Sequence, residues 1–131
     1  MMDQPSAAEL VTAVREFLEK HAMPALTGHT AFHARVAANA LAIVARELEQ
    51  GGAANAAEHQ RLRQLLANDG TLDELNRELC RRIRSGAVAL DDPALGDHLR
   101  QTTLAKVAID QPNYSGFQHS PHRAPNLPVA E

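Results

Sequence analysis

The chain has 131 residues, with 13 basic and 16 acidic side chains and a formal charge of −3. That length suits one domain able to bury roughly two thirds of its unfolded surface, and the charge lacks the basic excess expected of a nucleic-acid binder. Aromatic residues make up only 3% and Trp is absent, while Ala is abundant; the strongest helix former outweighs the strand formers, which predicts an all-α protein.

The opening MMDQPSAAEL has no basic segment followed by an apolar stretch, so no secretory leader is expected. A first helix is predicted from Ala7 to about His21. Ser6 is its N-cap and Glu9 completes a capping box, with Leu10, Val14, Phe17, Leu18 and His21 at the spacings of one face. Pro24 is expected to end it, because Met23 before a proline is pushed out of the α region.

A second helix is predicted from Thr30 to Gln50, closed by a left-handed cap at Gly51 and Gly52. Its longest apolar run, Val36 to Ala45, contains Asn39 and is too short to cross a membrane. Steps of about 100° place Val36, Ala37, Ala40, Ile43 and Val44 on one stripe, with His33 in its middle and Arg35 and Asn39 toward solvent. This helix is therefore expected to be central, with the His33 imidazole turned inward. An imidazole bonded to a neighbouring helix is one reading of His33; a general base or ligand contact is the other. His29 and His33 share a face, as in helical metal sites, but a zinc site needs three or four ligands and HExxH is missing. No metal or other cofactor is expected.

A third helix, residues 54 to 67, has a short stripe of Leu62, Leu65 and Leu66, and Asn68-Asp69-Gly70 reads as a turn. The fourth opens with a capping box, Thr71 to Glu74, carries Leu72, Leu75, Leu79 and Ile83 in register, and ends at Gly86. Arginines 77, 81, 82 and 84 crowd its C-terminal half, where cations suit the helix dipole. They flank Cys80 and favour its thiolate, although a lone helical cysteine is more often a small core residue. As the single cysteine, it has no internal disulfide partner, which is compatible with a reducing cytoplasm.

The fifth helix takes Asp92 as N-cap and Pro93 at its first position, and stops before Pro112. Leu95, Leu99, Thr102, Lys106 and Ile109 are expected on one face. Lys106, one of only two lysines, either lays its stem on apolar surface and reaches Asp110 or water, or is a desolvated amine in a site. Residues 112–131 hold four of the seven prolines together with Tyr114 and Phe117. They predict an extended arm on a helical body of residues 1–111, with those two aromatics as its contact residues.

Four segments, PSAAELVTAVREFLE, FHARVAANALAIVAREL, LNRELCRRIRSG and LRQTTLAKVAIDQPNYSGF, together resemble one family of short, all-helical bacterial proteins. Genes of that family often lie beside aminoglycoside-phosphotransferase-like kinases and acyl-CoA dehydrogenases. The resemblance spans residues 4–117 and implies a cytoplasmic setting in acyl-CoA-related metabolism. It brings no catalytic residue with it.

The expected architecture is an antiparallel bundle of about five helices with a proline-rich extended C-terminal arm. No Gly-rich phosphate loop, nucleophile elbow or CxxC occurs. The expected function is accordingly that of a non-catalytic cytoplasmic accessory protein, binding a phosphotransferase-like kinase or a second copy of itself. The alternative is a small ligand-binding protein or enzyme with a pocket around His33, Asn39 and Lys106, and with Arg35 beside it.

Overall fold

The computed structural model describes residues 4–122, and among these every regular element is helical. The all-α class holds. α1 spans Ala7–Phe17, α2 Gly28–Leu66, α3 Leu72–Ser85, α4 Pro93–Asp110 and α5 Ser115–Gln118. Contacts divide the chain after Gly52, so residues up to 52 and residues from 53 each form a compact unit.

In the first unit, Ser6 caps α1 as expected. Its hydroxyl accepts from the Glu9 N–H at 3.3 Å, and the Glu9 carboxylate accepts from the Ser6 N–H at 2.7 Å. Pro24 does not end the helical path. The path widens into a π turn at Leu18–Ala22 and narrows into a 3-10 turn at Met23–Ala25, with Met23 in the α region. Proline is tolerated there because the first positions of a helical turn need no N–H partner.

The predicted second and third helices are one. α2 continues through Gly51 and Gly52, and only Gly28 and Gly86 among the glycines have positive φ. Two glycines cost about 2 kcal/mol of helix propensity, but the flanking AANAAEH is rich in the best helix former. At Gly51 the Glu47 carboxyl group occupies the space a Cβ would need.

The side of α2 that is buried also differs from the expected one. Residues 31, 34, 38, 41 and 45, four alanines and Leu41, form a stripe of low exposure at alternating steps of three and four. Val36 and Val44 remain about half exposed. A wheel weighted by hydrophobicity favours the valines, whereas close helix approach favours the alanines.

In the second unit Leu62, Leu66, Leu75, Leu79 and Leu95 form a closed apolar cluster, with Leu65, Leu72, Ile83 and Val88 packed around it. Each fully buried leucine contributes about 2 kcal/mol of transfer free energy. The turn between α2 and α3 is held at several points. The Arg82 guanidinium donates to the Leu66 carbonyl at 3.0 Å, His59 Nε2 to the Gly70 carbonyl at 2.7 Å, and Arg63 pairs with Asp69. Thr71 and Glu74 form the expected capping box, and Gly86 closes α3 at φ 72°, a conformation that a Cβ disfavours. Asp92 caps α4, with Pro93 in its first turn. From Pro112 to His122 the chain is not simply extended, and the rest of the predicted arm, residues 123–131, lies outside the described residues. α5 packs back on α4, and Phe117 is buried.

Candidate functional site

The second unit contains a group of polar side chains that its leucine core does not explain. On α4, His98 lies three residues after Leu95 and four before Thr102, so it shares their inward face; only 3% of its surface is exposed. Glu58, also buried, and Arg61 approach from the last part of α2. Asn76 of α3 donates to Glu58 Oε1 at 2.9 Å and to the Leu72 carbonyl at 3.1 Å. Arg61 Nη2 donates to the Thr102 hydroxyl at 3.3 Å. Two buried nitrogens in this group, Arg61 Nε and His98 Nδ1, have no hydrogen-bond partner. Buried polar atoms are nearly always satisfied, so two such atoms together mark this place out.

Burial, followed by the positive charge of Arg61, lowers the pKa of His98 below its ordinary value; Glu58 and Asp97 oppose that shift and Lys106 adds to it. The imidazole is thus neutral near pH 7 and offers one N–H. A cavity of about 210 Å³ opens beside it, lined by Arg61, Gln64, Leu65, Ala94, Asp97 and His98. The wall therefore carries one cation, Arg61, and one carboxylate, Asp97, with Leu65 and Ala94 as its apolar part, while the unpartnered nitrogens of Arg61 and His98 are themselves closed off from solvent.

The first unit presents a different surface. Leu10, Val14 and Phe17 recur along one side of α1, and Phe32, Val36, Val44 and Leu48 along α2 at multiples of four residues. All seven keep between 43% and 58% of their surface exposed. Side chains at multiples of four form the ridges that pack into grooves of another helix.

His33, expected inside, is exposed. Its Nε2 lies 3.1 Å from Nε2 of His29, so one ring donates to the other on the outside of α2. The inward-facing alanine stripe accounts for this, since it leaves position 33 on another side of the helix. Arg35 and Asn39 are exposed too, and none of the three lines the cavity beside His98. Lys106 is exposed on α4, close enough to His98 to act on its charge. Tyr114 is exposed, whereas Phe117 is buried. No group of three or more His, Cys, Asp or Glu able to hold a metal occurs among the described residues. Cys80 is exposed rather than a core residue.

Sequence reasoning passed over His98, Arg61 and Glu58. The signal for His98 was its spacing: Leu95, His98, Thr102, Ala105 and Ala108 form the less exposed face of α4, whereas Leu99 and Lys106 on the expected face are exposed. No curated protein and no solved structure matches the chain. Residues 24–114 match the family described as a domain of unknown function (DUF6285).

Proposed function

The chain belongs to the DUF6285 family, and from that premise we propose that it is a non-catalytic accessory protein that docks onto a protein partner through its first unit. The observation that carries this reading is the pair of exposed apolar stripes on α1 and the first half of α2. Apolar area left in water at this density is characteristic of a surface that another protein covers. The partner proposed is a phosphotransferase-like kinase encoded nearby, in keeping with the resemblance stated above, and the complex is set in the cytoplasm. No helix among the described residues is long and apolar enough to cross a membrane, so a bilayer span is not what these stripes serve.

Co-elution tests the proposal. The full chain and the kinase-like protein, mixed at micromolar concentration, are expected to elute together at several salt concentrations. Replacing Phe17 and Phe32 by Ser is expected to separate them, because both rings are more than half exposed and contribute little to the fold. Separate elution of the unaltered proteins refutes the kinase as partner. Light scattering of the chain alone then shows whether a second copy covers the same stripes.

A further inference from the structure

We infer that His29 and His33 form a chelating site for one divalent transition-metal ion, of the kind that takes imidazole nitrogen. His29 lies in the first turn of α2 and His33 one turn later, so the two side chains stand one above the other on the same face. Their Nε2 atoms are 3.1 Å apart, with ring centroids at 4.2 Å and ring planes at 85°. For metal–nitrogen bonds of about 2.0–2.1 Å, that separation gives an N–metal–N angle of roughly 95–100°. The angle is near the one between neighbouring ligands of a square-planar or octahedral ion, and a small ring rotation brings it to the tetrahedral value. The Nε2–H of one ring donates across this gap to the other ring. A metal ion takes the place of that single proton, which leaves to water.

The surroundings favour such an ion over a hard one. Both histidines are exposed, so their rings are open to solvent and can turn until both lone pairs meet on one point. The residues three or four positions from either histidine are Ala25, Leu26, Thr30, Phe32, Val36 and Ala37, none of them charged. No cation on this face repels the ion, and no carboxylate draws magnesium or calcium, which take oxygen ligands. Arg35, two residues after His33, falls on the far side of the helix. The positive end of the α2 dipole opposes a cation here, at a cost of roughly two- to fivefold in affinity. Nitrogen alone therefore sets the preference, for zinc, nickel and copper. Two protein ligands fall short of a closed structural site, so the ion keeps water on its other positions and exchanges readily. Phe32, whose ring lies edge-on to His33 at 5.5 Å, and Val36 share this face, which places the ion within the exposed apolar stripe of α2. The chelate needs no partner, and it stands whether or not the kinase docks there.

The test titrates the full, untagged chain with nickel chloride by calorimetry, and with zinc chloride while following the histidine Cε1–H resonances by NMR. The expected result is one nickel ion per chain with a Kd on the order of 10–100 µM, and zinc shifting His29 and His33 ahead of the other histidines. Both nitrogens reach one ion only while the turn between them is helical, so zinc is also expected to slow amide exchange in the first turns of α2. His29→Ala and His33→Ala each remove one of two exposed ligands without touching the core, and each is expected to weaken binding about tenfold or more. Combining His33→Ala with Arg35→His restores the number of imidazoles but not their spacing, and is expected to bind as weakly as His33→Ala alone. The inference is overturned by a Kd weaker than about 1 mM for both ions, by a single-histidine variant that binds as tightly as the unaltered chain, by recovery in the respaced variant, or by magnesium displacing zinc at equal concentration.

Discussion

In residues 53–122 five leucines from three helices close on one another, whereas residues 4–52 bury Ala38, Ala45 and Gly51 and leave Phe17 and Phe32 more than half exposed. A methyl group removed from water contributes about 0.8 kcal/mol and a leucine side chain about 2 kcal/mol, so the two units cannot have equal internal support. One unit spends its apolar residues on its own core. The other fully buries only small residues, holds Leu18, Leu26, Leu41 and Ile43 half-buried, and leaves Phe17, Phe32 and the valines at 14, 36 and 44 exposed.

The contrast is most directly broken by truncating side chains in each unit. Leu75→Ala is expected to lower the stability of the chain by about 3 kcal/mol, because Leu75 is 1% exposed at the centre of the cluster. Val36→Ala, at a position 48% exposed, is expected to change it by less than about 0.5 kcal/mol. Urea unfolding of the two variants gives both numbers. Similar losses would mean that the first unit hides a core of its own.

Acid sharpens the same comparison. Hydrogen bonds from Arg81, then from Arg82, lower the pKa of Glu78 in α3 to about 2. A carboxyl lowered by folding contributes stability that is complete above its ordinary value of 4.5 and is lost as pH falls toward 2. Carboxyl NMR of the native protein is expected to show that low midpoint. Glu78→Gln is expected to flatten the dependence of stability on pH between 4.5 and 2, and a native midpoint near 4.5 would remove the ion pairs from the account. Glu74 is also lowered, chiefly by the Thr71 N–H, so part of the slope survives in the variant.

The sequence was most legible where a local rule acts alone. Ser6 with Glu9, Thr71 with Glu74, Asp92 with Pro93, and Gly86 each punctuate a helix as expected, because a cap is decided within four residues. The α3 stripe was legible too, since its inward residues are leucines. It failed on α2 and α4 for a shared reason. There much of the inward face is small or polar (Ala38 and Ala45 in α2, His98, Thr102 and Ala108 in α4), and its modest hydrophobicity loses to Val36, Val44 or Leu99 on any wheel. His33 was placed inside and His98 passed over by the same error. The pairing of Arg61 and His98 is in any case not readable from spacing, since 37 positions separate them and only the packing of α4 on α2 sets their distance.

The two capping boxes carry the contrast to a smaller scale. Thr71→Ala and Ser6→Ala each remove a side-chain oxygen that accepts an N3 backbone N–H, a loss of about 1 kcal/mol in either helix. The expected readouts differ. Thr71→Ala shifts the global unfolding midpoint, because α3 carries Leu75 and Leu79 of the core. Ser6→Ala is expected to speed amide exchange in the first turns of α1 and to leave that midpoint nearly unchanged, since no residue of α1 is buried. A global shift from Ser6→Ala would join α1 to the main cooperative unit.

A change of the opposite sign is expected at the residue where the two units meet in sequence. Gly52 lies inside α2, and a Cβ built there meets nothing within 4 Å. If the helix is continuous, Gly52→Ala removes backbone entropy from the unfolded chain without a clash and stabilises the protein by about 0.5–1 kcal/mol. If Gly52 were instead the left-handed cap that its neighbour Gly51 suggests in sequence, the same change would destabilise by about 1 kcal/mol. The sign of the shift in the unfolding midpoint therefore separates one long helix from two short ones. Gly51→Ala is the less clear variant, since its Cβ must first displace the Glu47 carboxyl group; that group ends a flexible side chain, so a gain smaller than the one at Gly52 is expected.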